Sequence, residues 1–332
     1  MGAAVDATEI VIPEAGVAQL RRSVVPAPGR GEVLVQTDIS IVSTGTELTG
    51  FTQRYAPGTN WSTYARLPFR PGYSSVGTVR DVGPTGDRGL VGARVLIEAP
   101  HASHHVLGEG GLHIVPDSAG SERAAWFALA QITFRGFWKT RERLGGSLVV
   151  VGAGPIGQLV VRWASVAGLA RIAVVDPFPS RLEHARAGGA HEVHASTLDQ
   201  APPSLIEDEH SRATIIDTTG NAEVFSEVLR RAPRFGRVVL LGDAGNPAEQ
   251  HLTSDLLFKD LSVVGAFGAQ VTDEWPNRRI RDLFLGLVAA GRFPLEGMVT
   301  ERFAPSDCQR AYERLAGERS SFMGAAFDWS GS

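Results

Sequence analysis

The 332-residue chain is 43% hydrophobic and 20% charged, the balance of a protein that buries a core. Its formal net charge is −4 and Lys139 and Lys259 are its only lysines, so no basic patch argues for nucleic-acid binding; no apolar run approaches the roughly 18 residues of a membrane span. Cys308 is the single cysteine, which excludes an internal disulfide and a structural zinc site of several thiolates and fits a cytoplasmic protein. Asp6, Glu9 and Glu14 stand where a secretory leader would be basic and then apolar, and Asp6 replaces the Ser or Thr that myristoylation needs, so neither signal is expected. A chain longer than the roughly 250–300 residues at which one core stops growing should hold two domains.

Residues 1–122 read as a β-rich domain. Strand-like runs recur at Glu9–Ile12, Glu32–Ile41, Ser75–Val82, Arg94–Glu98 and Leu112–Val115, separated by turns such as Pro26–Gly31 and Gly83–Asp87. The pattern predicts a partly closed barrel. Residues Phe51–Phe69 are polar and aromatic with little periodicity, and are predicted to form a long functional loop over the substrate. A helix is expected from Ser121, as N-cap, to Arg143.

A Rossmann-type dinucleotide-binding domain follows over 123–296. Leu148–Val151 is a continuous apolar, β-branched run, as in a strand buried on both faces. Gly152, Gly154 and Gly157 then give G-x-G-x-x-G: a tight turn, a position with no Cβ in the way of a pyrophosphate, and close helix–strand packing. Pro155 and Ile156 open the helix, whose free N–H groups and positive dipole end suit phosphates. A second strand, Arg171–Val175, ends at Asp176, 19 residues after Gly157, where a carboxylate accepts from both ribose hydroxyls. That carboxylate repels a 2′-phosphate, and Pro177–Ser180 bring no cation near. Arg181 reads as a helix-surface residue, so NAD is favoured over NADP.

Further on, a helix (Pro179–Ala187), strands near Glu192–His194 and Ala213–Asp217, a helix (Ala222–Arg231), strands at Arg237–Leu241 and Leu261–Phe267 and a helix (Glu274–Ala290) alternate as in a doubly wound parallel sheet. Thr219, Gly220, Gly242, Asp243, Gly265 and Phe267 follow or end these strands, where ligands of this fold bind, and are predicted to contact the cofactor; turn geometry is the competing explanation for the glycines. The tail, 297–332, is expected to complete the first domain with a helix (Pro305–Ala316) and a strand (Ala325–Trp329).

This layout resembles the medium-chain dehydrogenase/reductase superfamily over nearly the whole chain. Gly86-Asp87 with Gly92–Val95 resembles its "vGD-rV" turn, Pro71–Gly77 its "GHE-x-x-G" segment and Thr44–Leu48 its "CGSDL" segment. The phrases STGTE and PGY look closest to the bacteriochlorophyllide dehydrogenase branch. The resemblance implies a GroES-like catalytic domain, a small-molecule substrate and a homodimer. It also locates the catalytic-zinc positions of the family at Thr44, Tyr73, Ser74 and Gln131. Hydroxyls and an amide lack the thiolate, imidazole or carboxylate that zinc needs, so no zinc is expected.

Without a metal, hydrogen-bond donors must bear the charge on the substrate oxygen and move its proton. The resemblance places Thr46 at the start of the family's proton relay and Tyr73 where the ligand histidine stands; Thr44 is a weaker candidate, each hydroxyl having a plain backbone partner or packing role as its alternative. Glu47 matches the family's supporting Asp. In Pro100–His105 alternation puts His101 and His105 on one face and His104 on the other; a surface or interface role is expected, with His101 as proton shuttle the functional alternative. Gln131 and Arg135 lie one helical turn apart, and Arg135 is a candidate for holding an anionic substrate group. The leading expectation is a zinc-independent NAD(H)-dependent enzyme interconverting a secondary alcohol and a ketone. A zinc-free enoyl or quinone reductase and a non-catalytic NAD(H)-binding protein are its rivals.

Overall fold

The computed structural model describes residues 3–206, 213–243, 245–268, 272–318 and 321–331. The chain divides into two compact units: residues 1–128, 281–291 and 299–332 form the first, and residues 129–280 and 292–298 the second. Compared with the division expected from sequence, residues 123–128 and 281–291 fall in the first unit and residues 297–298 in the second.

The first unit begins with a hairpin of β1 (Val5–Glu14) and β2 (Val17–Val25), turning at Gly16 with φ 77°. Then come β3 (Glu32–Val42), α1 (Thr44–Thr52), α2 (Trp61–Tyr64), β4 (Ser75–Val82), β5 (Arg94–Ile97), β6 (His104–Gly108) and α3 (Ser121–Ala124). Strand β3 organises the sheet. One edge pairs with β4, and the other is shared by β6 along its first half and by a strand from the chain's end along its second. No ring of strands closes among the described residues. The expected strand at 112–115 is only a single bridge, Ile114 to Val95. The expected loop 51–69 starts inside α1 and contains α2. Sequence reading missed β2, where Gln19, Arg21 and Arg22 break up the apolar run, and β6, whose histidines hide it.

Helix α4 (Phe127–Thr140) follows, so the single helix expected over 121–143 is broken at 125–126. Ser121 is its first helical residue; Gly120, at φ 70°, is the N-cap. The second unit then runs β7 (Ser147–Val151), α5 (Pro155–Val166), β8 (Arg171–Val175), α6 (Pro179–Ala187), β9 (Glu192–His194), β10 (Thr214–Asp217), α7 (Ala222–Arg231), β11 (Arg237–Leu240), α8 (Asp255–Phe258) and β12 (Ser262–Gly265); α9 (Asn277–Ala289) begins in this unit and belongs to the first from residue 281 on. Its six strands are all parallel in the order β12-β11-β10-β7-β8-β9. The winding direction reverses between β7 and β10, the switch point where this topology binds ligands. Every residue of β7 is buried, as its unbroken apolar run requires.

The tail adds β13 (Glu301–Phe303), α10 (Cys308–Gly317) and β14 (Ala325–Asp328), and β14 pairs antiparallel with β3. Ile10, Val42, Leu48, Phe51, Phe69, Tyr312, Phe327 and Trp329 form one core there. Each such side chain contributes roughly 1.5–3 kcal/mol, so α1 and α10 are fixed to the same core. Among the described residues no helix is long and apolar enough to cross a membrane.

Candidate functional site

The dinucleotide cradle lies at the carboxyl end of β7. Gly152 has φ 92°, a backbone region costly to any residue with a Cβ. A Cβ on Gly157 would stand 1.9 Å from the Gly152 carbonyl oxygen, so α5 can approach the turn only with glycine there. Gly154 differs: a Cβ on it would meet nothing within 4 Å. The space before the second glycine is open, as a docking pyrophosphate requires. Gly154 flanks the twelve-residue α5 with no side-chain cap, Pro155 and Ile156 are its first residues, and the first-turn N–H groups remain for an anion. These residues fit a dinucleotide.

Asp176 sits at the end of β8 but is 3% exposed. Its Oδ2 accepts the Ala153 N–H and its Oδ1 the Phe178 N–H, both at 2.8 Å. The carboxylate therefore pins the glycine turn to α6. The expectation that no cation stands nearby is corrected. Arg181 Nη1 lies 3.7 Å from Asp176 Oδ2, and the guanidinium covers the Phe178 ring 4.9 Å from its centroid. Arg181, in the first turn of α6, points back along the helix, which sequence distance from Asp176 did not reveal.

At the next strand ends, the Thr219 N–H and hydroxyl both bond to Asp217 Oδ1, at 2.8 and 2.7 Å. Asp217 is fully buried, which pushes its carboxyl up, and its Oδ2 has no hydrogen-bond partner among the described residues. Gly220 and Gly242 are where two turns touch: a Cβ on Gly220 would lie 2.4 Å from the Asp243 carbonyl, and one on Gly242 2.2 Å from the Gly220 nitrogen. Gly265 ends β12, its carbonyl accepting Lys139 Nζ at 2.6 Å, and Phe267 is exposed.

In the first unit α1, a helix that sequence reading did not expect, carries Thr44, Thr46 and Glu47. Glu47 is fully buried. Its Oε1 accepts the Ser43 N–H at 2.7 Å, while Oε2 lies 2.6 Å from Tyr312 Oη and 3.0 Å from His101 Nε2. Tyr73 Oη stands 2.5 Å from Ser43 Oγ and also hydrogen-bonds Thr46. Burial pushes the Tyr73 phenol above its usual range; the Ser43 and Thr46 hydroxyls pull it down, and Glu47 and Glu98 push it up. The structure thus gathers Tyr73, Thr46, Glu47 and His101, together with Ser43 and Tyr312, which sequence reading missed. No local signal marks Ser43, and Tyr312 lies 265 residues from Glu47.

The expected surface role of His101 is corrected: it is buried, bonded to Glu47, with its ring edge against Phe327. His105 is partly buried in β6, and burial lowers it to about 4. Thr44, half-buried, is the first residue of α1. Gln131 and Arg135 are buried on α4 in the second unit, and Arg135 donates to Asn277 Oδ1.

The donor set does not fit a catalytic zinc ion. Tyr73 is bound to two hydroxyls, and Ser74 Oγ donates to the Ala125 carbonyl at 2.6 Å and accepts the Ala128 N–H at 3.2 Å, starting α4. Among the described residues no group of three or more His, Cys, Asp and Glu side chains is arranged to hold a metal.

The second unit carries a glycine turn at the switch point of a parallel sheet, and the β-rich first unit carries a buried polar cluster. The family model "Zinc-binding dehydrogenase" matches residues 155–283. The 5-exo-hydroxycamphor dehydrogenase of Pseudomonas putida is 28% identical over 60% of this chain and 56% of its own length. The chain spans about half the length of the curated relatives it matches. Galactitol-1-phosphate dehydrogenase from Escherichia coli shares the fold at TM-score 0.80 and 18% identity, over 97% of this chain and 99% of that one. A zinc-binding dehydrogenase from Sinorhizobium meliloti bound to NADP does so at 0.79 and 18%, over 98% and 99%. The similarity to dehydrogenases thus covers residues 155–283 by family model, and the likeness to solved dehydrogenases extends to the fold of the whole chain.

Proposed function

We propose that this protein is an NAD(P)(H)-dependent oxidoreductase that interconverts a secondary alcohol and a ketone on a small organic substrate, and that it works without zinc. The observation that carries the reading is the Tyr73 phenol, at the position the resemblance gives to a ligand histidine, bonded to the hydroxyls of Ser43 and Thr46. A bound nicotinamide cofactor supplies or accepts the hydride. Tyr73, kept neutral by burial, hydrogen-bonds the substrate oxygen, gives it a proton in reduction and takes one back in oxidation. Thr46 supports the phenol from α1, and Thr44 offers a further hydroxyl from the same helix end. His101, held on Glu47, acts as part of the frame. Gln131 and Arg135 are proposed to bind the substrate, with Asn277 orienting Arg135. The similarity to a protein named a hydroxycamphor dehydrogenase supports the alcohol–ketone reading. The lone buried Cys308 suits a reducing, cytoplasmic compartment.

Gly152, Gly154, Pro155, Ile156, Gly157, Thr219, Gly220, Gly242, Gly265 and Phe267 are proposed to line the cofactor, with NAD(H) preferred because Asp176 is acidic. Arg181 narrows that preference by offsetting the carboxylate's charge. The test is a fluorescence titration with NADH and NADPH, followed by a ketone and enone screen with and without chelator. Ketone turnover insensitive to chelator is expected, and Arg181→Ala should weaken NADPH more than NADH. Chelator-abolished activity would overturn the zinc-free reading. Turnover of conjugated enones alone would make the protein a C=C reductase, and tight NADH binding with no turnover a non-catalytic one.

A further inference from the structure

Ser43 occupies the N-terminal flank of α1. A serine there ordinarily turns its hydroxyl onto a first-turn N–H group. Ser43 makes no such side-chain bond. Its Oγ is directed instead to Tyr73 Oη at 2.5 Å. The restraint has passed to Glu47, one turn on, whose Oε1 holds the Ser43 N–H at 2.7 Å. Glu47 is itself fixed from two other elements, by Tyr312 of α10 and by His101. Ser43 is 5% exposed, so its hydroxyl has little water to turn to.

We propose that Ser43 is a positioning residue for the Tyr73 phenol: Glu47 fixes the backbone at position 43 so that Ser43 Oγ donates to the phenolate oxygen left when Tyr73 gives up its proton. This rests on the reading of Tyr73 as proton donor. In the reductive direction the carbonyl carbon gains hydride from a reduced nicotinamide, the carbonyl oxygen gains the Tyr73 proton, and water returns a proton to the phenolate. During that interval Ser43 and Thr46 are its two hydroxyl donors. The ionisable groups that act on Tyr73 are Glu47 on α1, Glu98 after β5 and Tyr64 on α2. Both carboxylates oppose phenolate formation, so the two hydroxyls must compensate.

The test reads the phenol without substrate or cofactor. Ultraviolet difference titration of tyrosinate in the wild type, compared with Tyr73→Phe, isolates the Tyr73 ionisation. In Ser43→Ala that ionisation should move to higher pH, and Ser43→Thr should restore it, with circular dichroism and thermal midpoints unchanged. In turnover, Ser43→Ala should lower kcat about tenfold, the worth of one hydrogen bond to a charged oxygen, with KM unchanged, and Ser43→Thr should recover most of it. A Tyr73 titration unmoved by Ser43→Ala, or a Ser43→Thr variant no better than Ser43→Ala, overturns the assignment. A wild type that turns over no ketone while the titration shift is present overturns the dehydrogenase reading and leaves the Ser43–Tyr73 coupling standing.

Discussion

Gly154 and Gly157 stand three residues apart in the same motif and do different work. Gly157 has no room: a Cβ would sit 1.9 Å from a backbone oxygen. Gly154 has ordinary φ and ψ, −69° and −179°, and empty space before it. Gly157→Ala should therefore move α5 away from the turn and lower the unfolding free energy by about 1–3 kcal/mol, the usual cost of overpacking. Gly154→Ala should fold with wild-type stability and lose dinucleotide affinity at least about tenfold, because the new methyl stands where the pyrophosphate approaches. Denaturant melts beside calorimetric titration with NADH separate the two effects. A Gly154→Ala variant that binds normally would mean that the pyrophosphate does not pass that position. Asp176 teaches the same caution about motifs. The acid is where the spacing puts it, yet both its oxygens already hold backbone N–H groups.

Among elements, α1 shows what the sequence could not display. Its residues, TGTELTGFT, hold two glycines and four threonines, poor helix formers that read as a turn. Burial of Leu48 and Phe51 and the Glu47 bonds override that local preference. Removing the carboxylate should expose the dependence. Glu47→Ala leaves the Ser43 N–H, Tyr312 Oη and His101 Nε2 buried without a partner, and should cost about 3–5 kcal/mol. Tyr312→Phe keeps the ring against Phe51 and Phe327 and should cost only about 1–2 kcal/mol, read as urea midpoints at constant m. The Rossmann elements were legible because unbroken apolar strands and a glycine turn are local signals. The hydroxyl cluster was half legible. Family-matched positions pointed to Thr46 and Tyr73, whereas Ser43, Tyr312 and the burial of His101 arise from contacts between distant segments. Strand β6 adds a pH dependence. His105 titrates at about 4 in the fold, against an ordinary 6.5, because burial disfavours its charge. Above pH 6.5 both folded and unfolded chains hold it neutral. Between 6.5 and about 4 the unfolded chain takes up a proton that the folded chain refuses, so stability falls with falling pH, by at most about 3 kcal/mol. His105→Leu should flatten that part of the pH–stability curve; an unchanged slope would assign the acid sensitivity elsewhere.

For the whole molecule the question is the open edge of the parallel sheet. The two ends of that sheet are built differently. Strand β9 carries Glu192 and His194, and Glu192 pairs with Arg171, so charge guards it. Strand β12 is Ser-Val-Val-Gly, with both end residues exposed and neither valine fully buried. Around it in sequence stand Phe235, Leu252, Leu257, Phe258 and Phe267, each at least 63% exposed. An uncharged strand edge with exposed apolar side chains near it in sequence invites pairing with another strand. A second copy meets that need symmetrically, since a two-fold axis across β12 would set the same residues against themselves. The protein should therefore run at twice its 35.4 kDa chain mass in light scattering. Replacing Leu257 and Phe258, which are 75% and 71% exposed, by glutamate costs the monomer's own packing little. The double variant should keep the wild-type circular dichroism and run as a monomer. A wild type that stays monomeric at micromolar concentration, or a double variant that stays dimeric, would place the subunit contact away from this edge.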